Sequence, residues 1–387
     1  MTRRLLFLGD SALGGYGGWA QRSWHLIEAL TPLGQVDIAT MSGSPALVAQ
    51  NHETCRRRAE RHVPLLYKDG TWGTRVRRLG LAPLANLARI ARRNELLERY
   101  LRTAQYDVII VRLLRSSLHL PIAARRNVIF DVDDTDIEYR DAFGHTRTAL
   151  RRRSTTNALR GVSTRMALRR VARAWVVNAI YVRSYNFSDA TVLPNIPNVV
   201  PETFGADSGN ALTLVYVGEL AGNRTNIASM RFFIAEIFPE ILKRRRCTLL
   251  LAGAMDDNSP FEGIPGVELV KNPDTLAQVY RRATLAIAPQ LSGRGTNIKV
   301  VEALAFGRPV VTSPAASRGF EEFSNCGLFV AKSPREFAET CLQLLGDDEY
   351  RHRAARAGYE IVKRKYTKAA FAAIVRRSVE EVNGASH

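Results

Sequence analysis

The chain has 387 residues, 46% of them hydrophobic, which is length and apolar content for two hydrophobic cores and excludes a disordered or low-complexity protein. Its net charge of +18 is uneven: residues 1–200 hold 31 Lys and Arg against 16 Asp and Glu, and residues 201–387 hold 24 against 21, so the basic first half favours a polyanionic partner. Cys55, Cys247, Cys326 and Cys341 are too scattered for a disulfide framework or a zinc site and fit a reducing cytoplasm, and no apolar run approaches the roughly 18 residues of a membrane span.

The N-terminus, MTRRLLFLGD, is basic then apolar like a signal peptide, but its apolar run is short and passes into Gly9-Asp10 without a cleavage site, so it reads as a first strand. The loop SALGGYGG follows. Its Gly14, Gly15, Gly17 and Gly18 permit positive φ and close approach of the backbone to a ligand, and a plain strand-to-helix turn accounts for them as well. Helical patterns over 19–30 and 84–103 then alternate with the apolar runs QVDIATMS, YDVIIVRLL and RNVIFDVDD. From Arg147 to Arg183 there is no acidic residue. Apolar residues sit between the arginines at helical spacing, as in an amphipathic basic helix facing anionic lipid or as in a solvated helix face.

Residues 193–210, LPNIPNVVPETFGADSGN, read as a linker. Beyond it, ALTLVYVGEL, CTLLLAGA, GVELVK, ATLAIAPQ and RPVVTSP alternate with the helical stretches MRFFIAEIFPEILKRR, PDTLAQVYRR, NIKVVEALAFG and SPREFAETCLQLLG. Both halves therefore repeat the strand–helix alternation of an α/β, doubly wound parallel sheet. The expected division is a first lobe over 1–193, a linker over 194–210, a second lobe over 211–365, and a C-terminal helix and tail over 366–387 that cross back to the first lobe.

The most informative stretch is Ala288 to Thr312, APQLSGRGTNIKVVEALAFGRPVVT. A Gly-rich loop that opens a helix turns free backbone amides toward an anion, and the helix dipole adds to the attraction. Gly295, Thr296 and Asn297 supply such amides, Lys299 adds a point charge, and Glu302 can accept two hydroxyl hydrogen bonds, as a ribose requires. The pattern points to a nucleotide with a sugar attached.

With these residues in place, the chain resembles the bacterial retaining glycosyltransferases of family 4, also called group 1, whose fold is GT-B: two Rossmann-like lobes facing a central cleft. The resemblance spans nearly the whole chain and is strongest after Leu193. It rests on LPNIPN at the lobe junction, LTLVYVGELAGNRTNIASMRFF, GVELVKNPDTLAQVYRRATLAIAPQ and SGRGTNIKVVEALAFGRPVV. It implies that Glu302 binds the donor ribose as the second Glu of the Glu-x7-Glu motif. Where the first Glu falls this chain has Arg294, and where the Val-Gly-Arg-x4-Lys pattern has its Arg and Lys it has Glu219 and Arg224. Arg224 can still clamp a pyrophosphate beside Lys299. The loop around Gly15 would face the donor phosphates and the acceptor. Asp133, in FDVDDTD, stands where relatives carry a His beside an Asp. It orients or deprotonates an acceptor hydroxyl, or it caps the next helix.

The function implied is transfer of a sugar from a nucleoside-diphosphate sugar to an acceptor hydroxyl with retention, without a metal or other cofactor, in cell-envelope or exopolysaccharide synthesis. The acceptor is a glycan, a lipid-linked or a small molecule, and the place is the cytoplasm, with the inner face of the membrane as the anionic surface to test. Two other classes compete. Asp131-x-Asp133-x-Thr135 after an apolar strand is the arrangement of a magnesium-dependent phosphatase, although no later Gly-Asp-x3-Asp accompanies it. The basic first half would give weak, salt-sensitive nucleic-acid binding, with no motif for a specific one.

Overall fold

The apolar runs form two separate parallel sheets in a computed structural model, which describes residues 2–9, 13, 18–42, 45–56, 61–66, 92, 95–112, 126–133, 139–140, 171–180, 182, 190–205, 212–293 and 296–384. The chain divides into two units. Met1–Asp136, Leu150–Pro194 and Phe371–His387 make the first, and Ile137–Ala149 with Asn195–Ala370 make the second.

The first unit runs β1 (Arg4–Gly9), α1 (Gly18–Leu30), β2 (Gln35–Ser42), α2 (Pro45–Arg56), β3 (Arg61–Leu66), β4 (Val108–Arg112) and β5 (Val128–Val132), with residues 95–103 helical before β4. The short β6 (Tyr139–Arg140) belongs to the second unit, and β7 (Arg173–Val176) and β8 (Ala190–Val192) complete the first sheet. Its order is β3-β2-β1-β4-β5-β7-β8, parallel throughout. A sheet covered on both faces wants unbroken apolar strands, and RLLFLG, VIIVR and VIFDV supply them. Leu6, Leu8, Ile109, Val111, Phe130 and Val176 pack with Leu97 and Leu101 in the core.

The second unit runs β9 (Thr213–Val217), α3 (Arg224–Phe232), a π turn over Phe233–Ile237, α4 (Phe238–Leu242), β10 (Thr248–Gly253), β11 (Val267–Lys271), α5 (Leu276–Arg281) and β12 (Leu285–Ala288). It continues with β13 (Ser292–Gly293), α6 (Ile298–Ala305), β14 (Val310–Thr312), β15 (Leu328–Val330), α7 (Pro334–Gly346) and α8 (Asp348–Lys365). The order is β11-β10-β9-β12-β14-β15, again parallel, while β13 pairs antiparallel with β6. The π turn lies just before Pro239, which has no N–H to give and whose ring crowds the preceding turn. α8 is missing from the sequence reading because it buries small residues, Ala354, Ala355 and Gly358, beside Tyr359 and Val362, and these make a weak apolar stripe.

The last helix, α9 (Lys368–Gly384), falls within the helix and tail expected over 366–387, and from Phe371 onward it groups with the first unit. Phe371, Val375, Val379 and Val382, at helical spacing, form its buried stripe, and Arg173 of β7 pairs with Glu381.

The Gly-Arg-Pro stop after α6 is a structural staple. Gly307 takes φ +68, and a Cβ there would meet the Gly205 carbonyl at 2.8 Å. Arg308 is buried; its Nε donates to the Tyr280 carbonyl and its Nη1 to the Gly205 carbonyl, both at 2.7 Å. Arg308→Ala would strand those acceptors and is expected to cost about 2–4 kcal/mol. Chemical denaturation followed by tryptophan-independent far-UV dichroism measures it; a loss under about 0.5 kcal/mol would contradict the staple.

Candidate functional site

The second sheet reverses its winding between β9 and β12: β10 and β11 follow on one side, β14 and β15 on the other. In doubly wound sheets ligands sit outside the carboxyl ends of the strands at such a reversal. Here β9 ends in Gly218-Glu219-Leu220, and α3 opens after it with Asn223 as N-cap, its side chain accepting from the Asn226 amide at 3.1 Å. Gly253, at the end of neighbouring β10, has φ +134 and leaves no room for a Cβ, which would lie 2.1 Å from the Gly218 carbonyl. Two strand ends are thereby packed backbone to backbone beside the opening.

β12 passes through Pro289 and Gln290 into the Gly-rich loop and α6. Asn297 caps α6 with an extended backbone and no side-chain bond to the helix end, so the first-turn amides are not taken up by their own cap side chain. Val300, Val301, Ala303, Leu304 and Ala305 bury the helix in the core, and Glu302 is buried with them. The Thr296 hydroxyl accepts from Asn195 Nδ2 at 2.9 Å, tying the loop to the LPNIPN turn. Lys299 is partly buried, donates to the Tyr216 hydroxyl at 3.0 Å, and lies 4.4 Å from the centre of that ring. Burial pulls Lys299 down to about 7, with the charge of Glu302, one turn on, pulling the other way.

Thr296 and Asn297 precede α6, and Lys299 and Glu302 lie within it. Arg224 is the first residue of α3 and exposed, and Glu219 is exposed with its carbonyl accepting from Asn226 Nδ2 at 2.8 Å. Gly295 and Arg294 lie outside the described residues, as do Gly15 and most of the basic stretch Arg147–Arg183. Three residues escaped the sequence reading: Tyr216, Gln290 and Asn226. Gln290 Nε2 donates to Asn226 Oδ1 at 3.1 Å and to the Tyr216 hydroxyl at 3.4 Å. The available signal was a lone Tyr inside the aliphatic strand TLVYV and an amide at the buried end of LAIAPQ.

In the first unit the strand ends carry a buried network of charges. Arg22 of α1 grips Asp131 through Nε and Nη2, the latter at 2.6 Å, and donates Nη1 to the Leu193 carbonyl at 3.0 Å. Arg112 of β4 donates to Asp131 at 2.5 Å, to Asp133 at 2.9 Å and to the Ser23 hydroxyl at 2.7 Å. Burial works against the charge on Arg22, but the carboxylates of Asp131 and Asp133 prevail and hold it above its usual range. Both Asp131 oxygens face guanidinium groups and the residue is fully buried, so it has no exposed lone pair for phosphorus or magnesium; the phosphatase reading fails on this geometry. Among the described residues no three His, Cys, Asp or Glu cluster as metal ligands. Asp133, at 8% exposure, is the member nearest the surface and is anchored by Arg112 rather than capping a described helix. Leu13, ahead of the glycines, donates its amide to Asn51 Oδ1 and accepts at its carbonyl from Trp24 Nε1, both at 2.8 Å.

Two doubly wound α/β units, the second with a loop-to-helix turn at its winding reversal, define the class of fold: GT-B. Sucrose-phosphate synthase of Thermosynechococcus elongatus superposes with a TM-score of 0.71 at 16% identity, covering 99% of this chain and 100% of that one. Anabaena HepE in complex with UDP and glucose gives 0.66 at 14% (98% and 100%), and a variant of S. aureus TarM gives 0.62 at 10% (98% and 100%). Residues 211–347 match the family described as glycosyl transferases group 1. No protein with a curated description is significantly similar in sequence.

Proposed function

We propose that the protein transfers a sugar from a nucleoside-diphosphate sugar to an acceptor hydroxyl with retention at the anomeric carbon, in cell-envelope or exopolysaccharide synthesis. The carrying observation is that Thr296 and Asn297 lead into α6, which carries Lys299 and Glu302 and follows β12 at the β9/β12 reversal. Amides of α6 and Lys299 meet the diphosphate, and Glu302 takes the ribose hydroxyls. Arg224, exposed at the start of α3, adds a second cation to the diphosphate. As the glycosidic bond breaks, negative charge grows on the leaving diphosphate, and these fixed positive groups stabilise it. No metal or other cofactor is assigned a step.

On the first unit, Asp133 orients the acceptor hydroxyl through its accepting oxygens, and the loop around Gly15 approaches the substrate. Asp133 is anchored by Arg112, and proton removal by it comes late, when the acceptor oxygen has become acidic. The acceptor is a glycan or lipid-linked hydroxyl. The relatives span a sucrose-phosphate synthase and a TarM structure holding α-GlcNAc-glycerol with UDP, so a soluble small acceptor is the second reading. No described helix is long and apolar enough to cross a membrane. A cytoplasmic place, with the basic first half against anionic lipid on the inner face, fits the charge; flotation with acidic and neutral vesicles tests it.

A donor-hydrolysis panel of UDP-, GDP- and dTDP-sugars tests the reaction, and a chain inert to all three contradicts it. Glu302→Ala should weaken nucleotide affinity roughly tenfold to hundredfold, the worth of hydrogen bonds to a buried charge. Unchanged affinity by calorimetry removes Glu302 from the site.

A further inference from the structure

The polar groups at the β9/β12 reversal form a single chain of hydrogen bonds through four elements. It starts at the Glu219 carbonyl after β9, passes through Asn226 on α3 and Gln290 after β12 to Tyr216 on β9, and ends at Lys299 on α6. Each link fixes the next. Asn226 Nδ2 is committed to a backbone carbonyl, so its Oδ1 must accept, and Gln290 must turn Nε2 toward it. The same Nε2 reaches the Tyr216 hydroxyl, while Gln290 Oε1 is left buried with no partner. A buried amide held with one end unsatisfied marks an orientation imposed by the surrounding network. Gln290 is also clamped through its carbonyl, which accepts from the Ser313 hydroxyl at 2.6 Å. Tyr216 itself is fully buried, so its ring cannot swing, and its hydroxyl is a fixed point.

We propose that Tyr216 is the positioning residue for Lys299: its hydroxyl and ring face, set by Gln290 and Asn226, hold the Lys299 ammonium toward the diphosphate at the start of α6. The proposal rests on the donor-site reading above and extends it to residues that touch no substrate. A lysine has four rotatable side-chain bonds and about 2 kcal/mol of rotamer entropy to lose. Tyr216 takes one of its three donors and the cation-facing side of the ring takes its charge, leaving two donors with a defined direction. The pull of burial on Lys299 toward neutrality makes that hold matter, because a loosely placed lysine would retreat from an anion less often charged.

The test is a double-mutant cycle in UDP and GDP binding, read by calorimetry at pH 6.5, with thermal unfolding of each variant. Tyr216→Phe keeps the ring and loses the hydroxyl; the expected loss is about threefold to tenfold in affinity. In a Lys299→Met background the same substitution should change affinity less than twofold, because its effect travels through Lys299. Gln290→Met, which leaves Tyr216 intact, should weaken binding in the same direction and also only when Lys299 is present. Equal losses in both backgrounds, or no loss from Tyr216→Phe, overturn the positioning role while leaving the donor site standing. A parent chain that binds neither nucleotide overturns both readings together.

Discussion

Replacing Asp131 with alanine should lower the melting temperature of the first unit by roughly 6–20 °C, the largest stability effect expected of any single substitution in the described residues. Asp131 joins two fully buried arginines across α1, β4 and β5, and without it both guanidinium groups lose the carboxylate they share, while Asp133 stays bonded to Arg112. Breaking a buried ion pair by removing one partner costs about 3–5 kcal/mol, mostly from the charge left behind, and a unit of this size moves about 2–4 °C per kcal/mol. The intact network contributes far less than this, because four charges had to leave water to form it. That asymmetry predicts a rescue. Arg22→Met combined with Asp131→Leu removes one charge of each sign and leaves the Arg112–Asp133 pair, so it should recover most of the loss. Calorimetric scanning resolves the transitions; a single variant within about 2 °C of the parent would mean that Arg22 and Arg112 are not dependent on Asp131.

This network also shows where sequence reading reaches its limit. FDVDDTD displays its acids plainly, but nothing local says that Arg22 and Arg112, 109 and 19 residues away, will lie on them. The α/β repeat, the long strands and the loop-to-helix anion seat were legible because each is a local pattern: apolar runs of strand length, a Gly-rich loop, a polar residue before an amphipathic helix. Strands β3, β7 and β8 were not, since RHVPLL carries a Pro, RAWV an Arg, and ATV has only three residues. In the candidate site Lys299 and Glu302 could be chosen from spacing on one helix. Tyr216, Gln290 and Asn226 could not, because each reads as core or turn until the β9/β12 reversal brings the three elements together.

Lys299→Met should lower kcat about 10²- to 10³-fold, the loss typical when one fixed donor to a developing anion is removed, with a smaller change in KM. The intact donor already carries charge on both phosphates, so Lys299 contributes to binding, but the charge that grows on departure makes its contribution larger in the transition state. Its pH dependence has a definite direction. Burial pulls Lys299 down to about 7 in the free chain and a bound diphosphate would raise it, so binding is expected to take up a proton above pH 7. Affinity for a nucleoside-diphosphate sugar should therefore be flat below about pH 7 and fall as pH rises, by up to roughly tenfold at pH 8. The intact nucleotide sugar is the right probe, since neither of its phosphates titrates in this window while the terminal phosphate of a free diphosphate does. Calorimetry at pH 8 in buffers of different ionisation enthalpy should register the proton uptake directly. Lys299→Met should abolish both the uptake and the slope, and Lys299→Arg, whose guanidinium stays charged, should remove the slope while restoring part of the rate. A slope that survives in Lys299→Met would assign the titration to another group and leave Lys299 as a packing residue beside Tyr216.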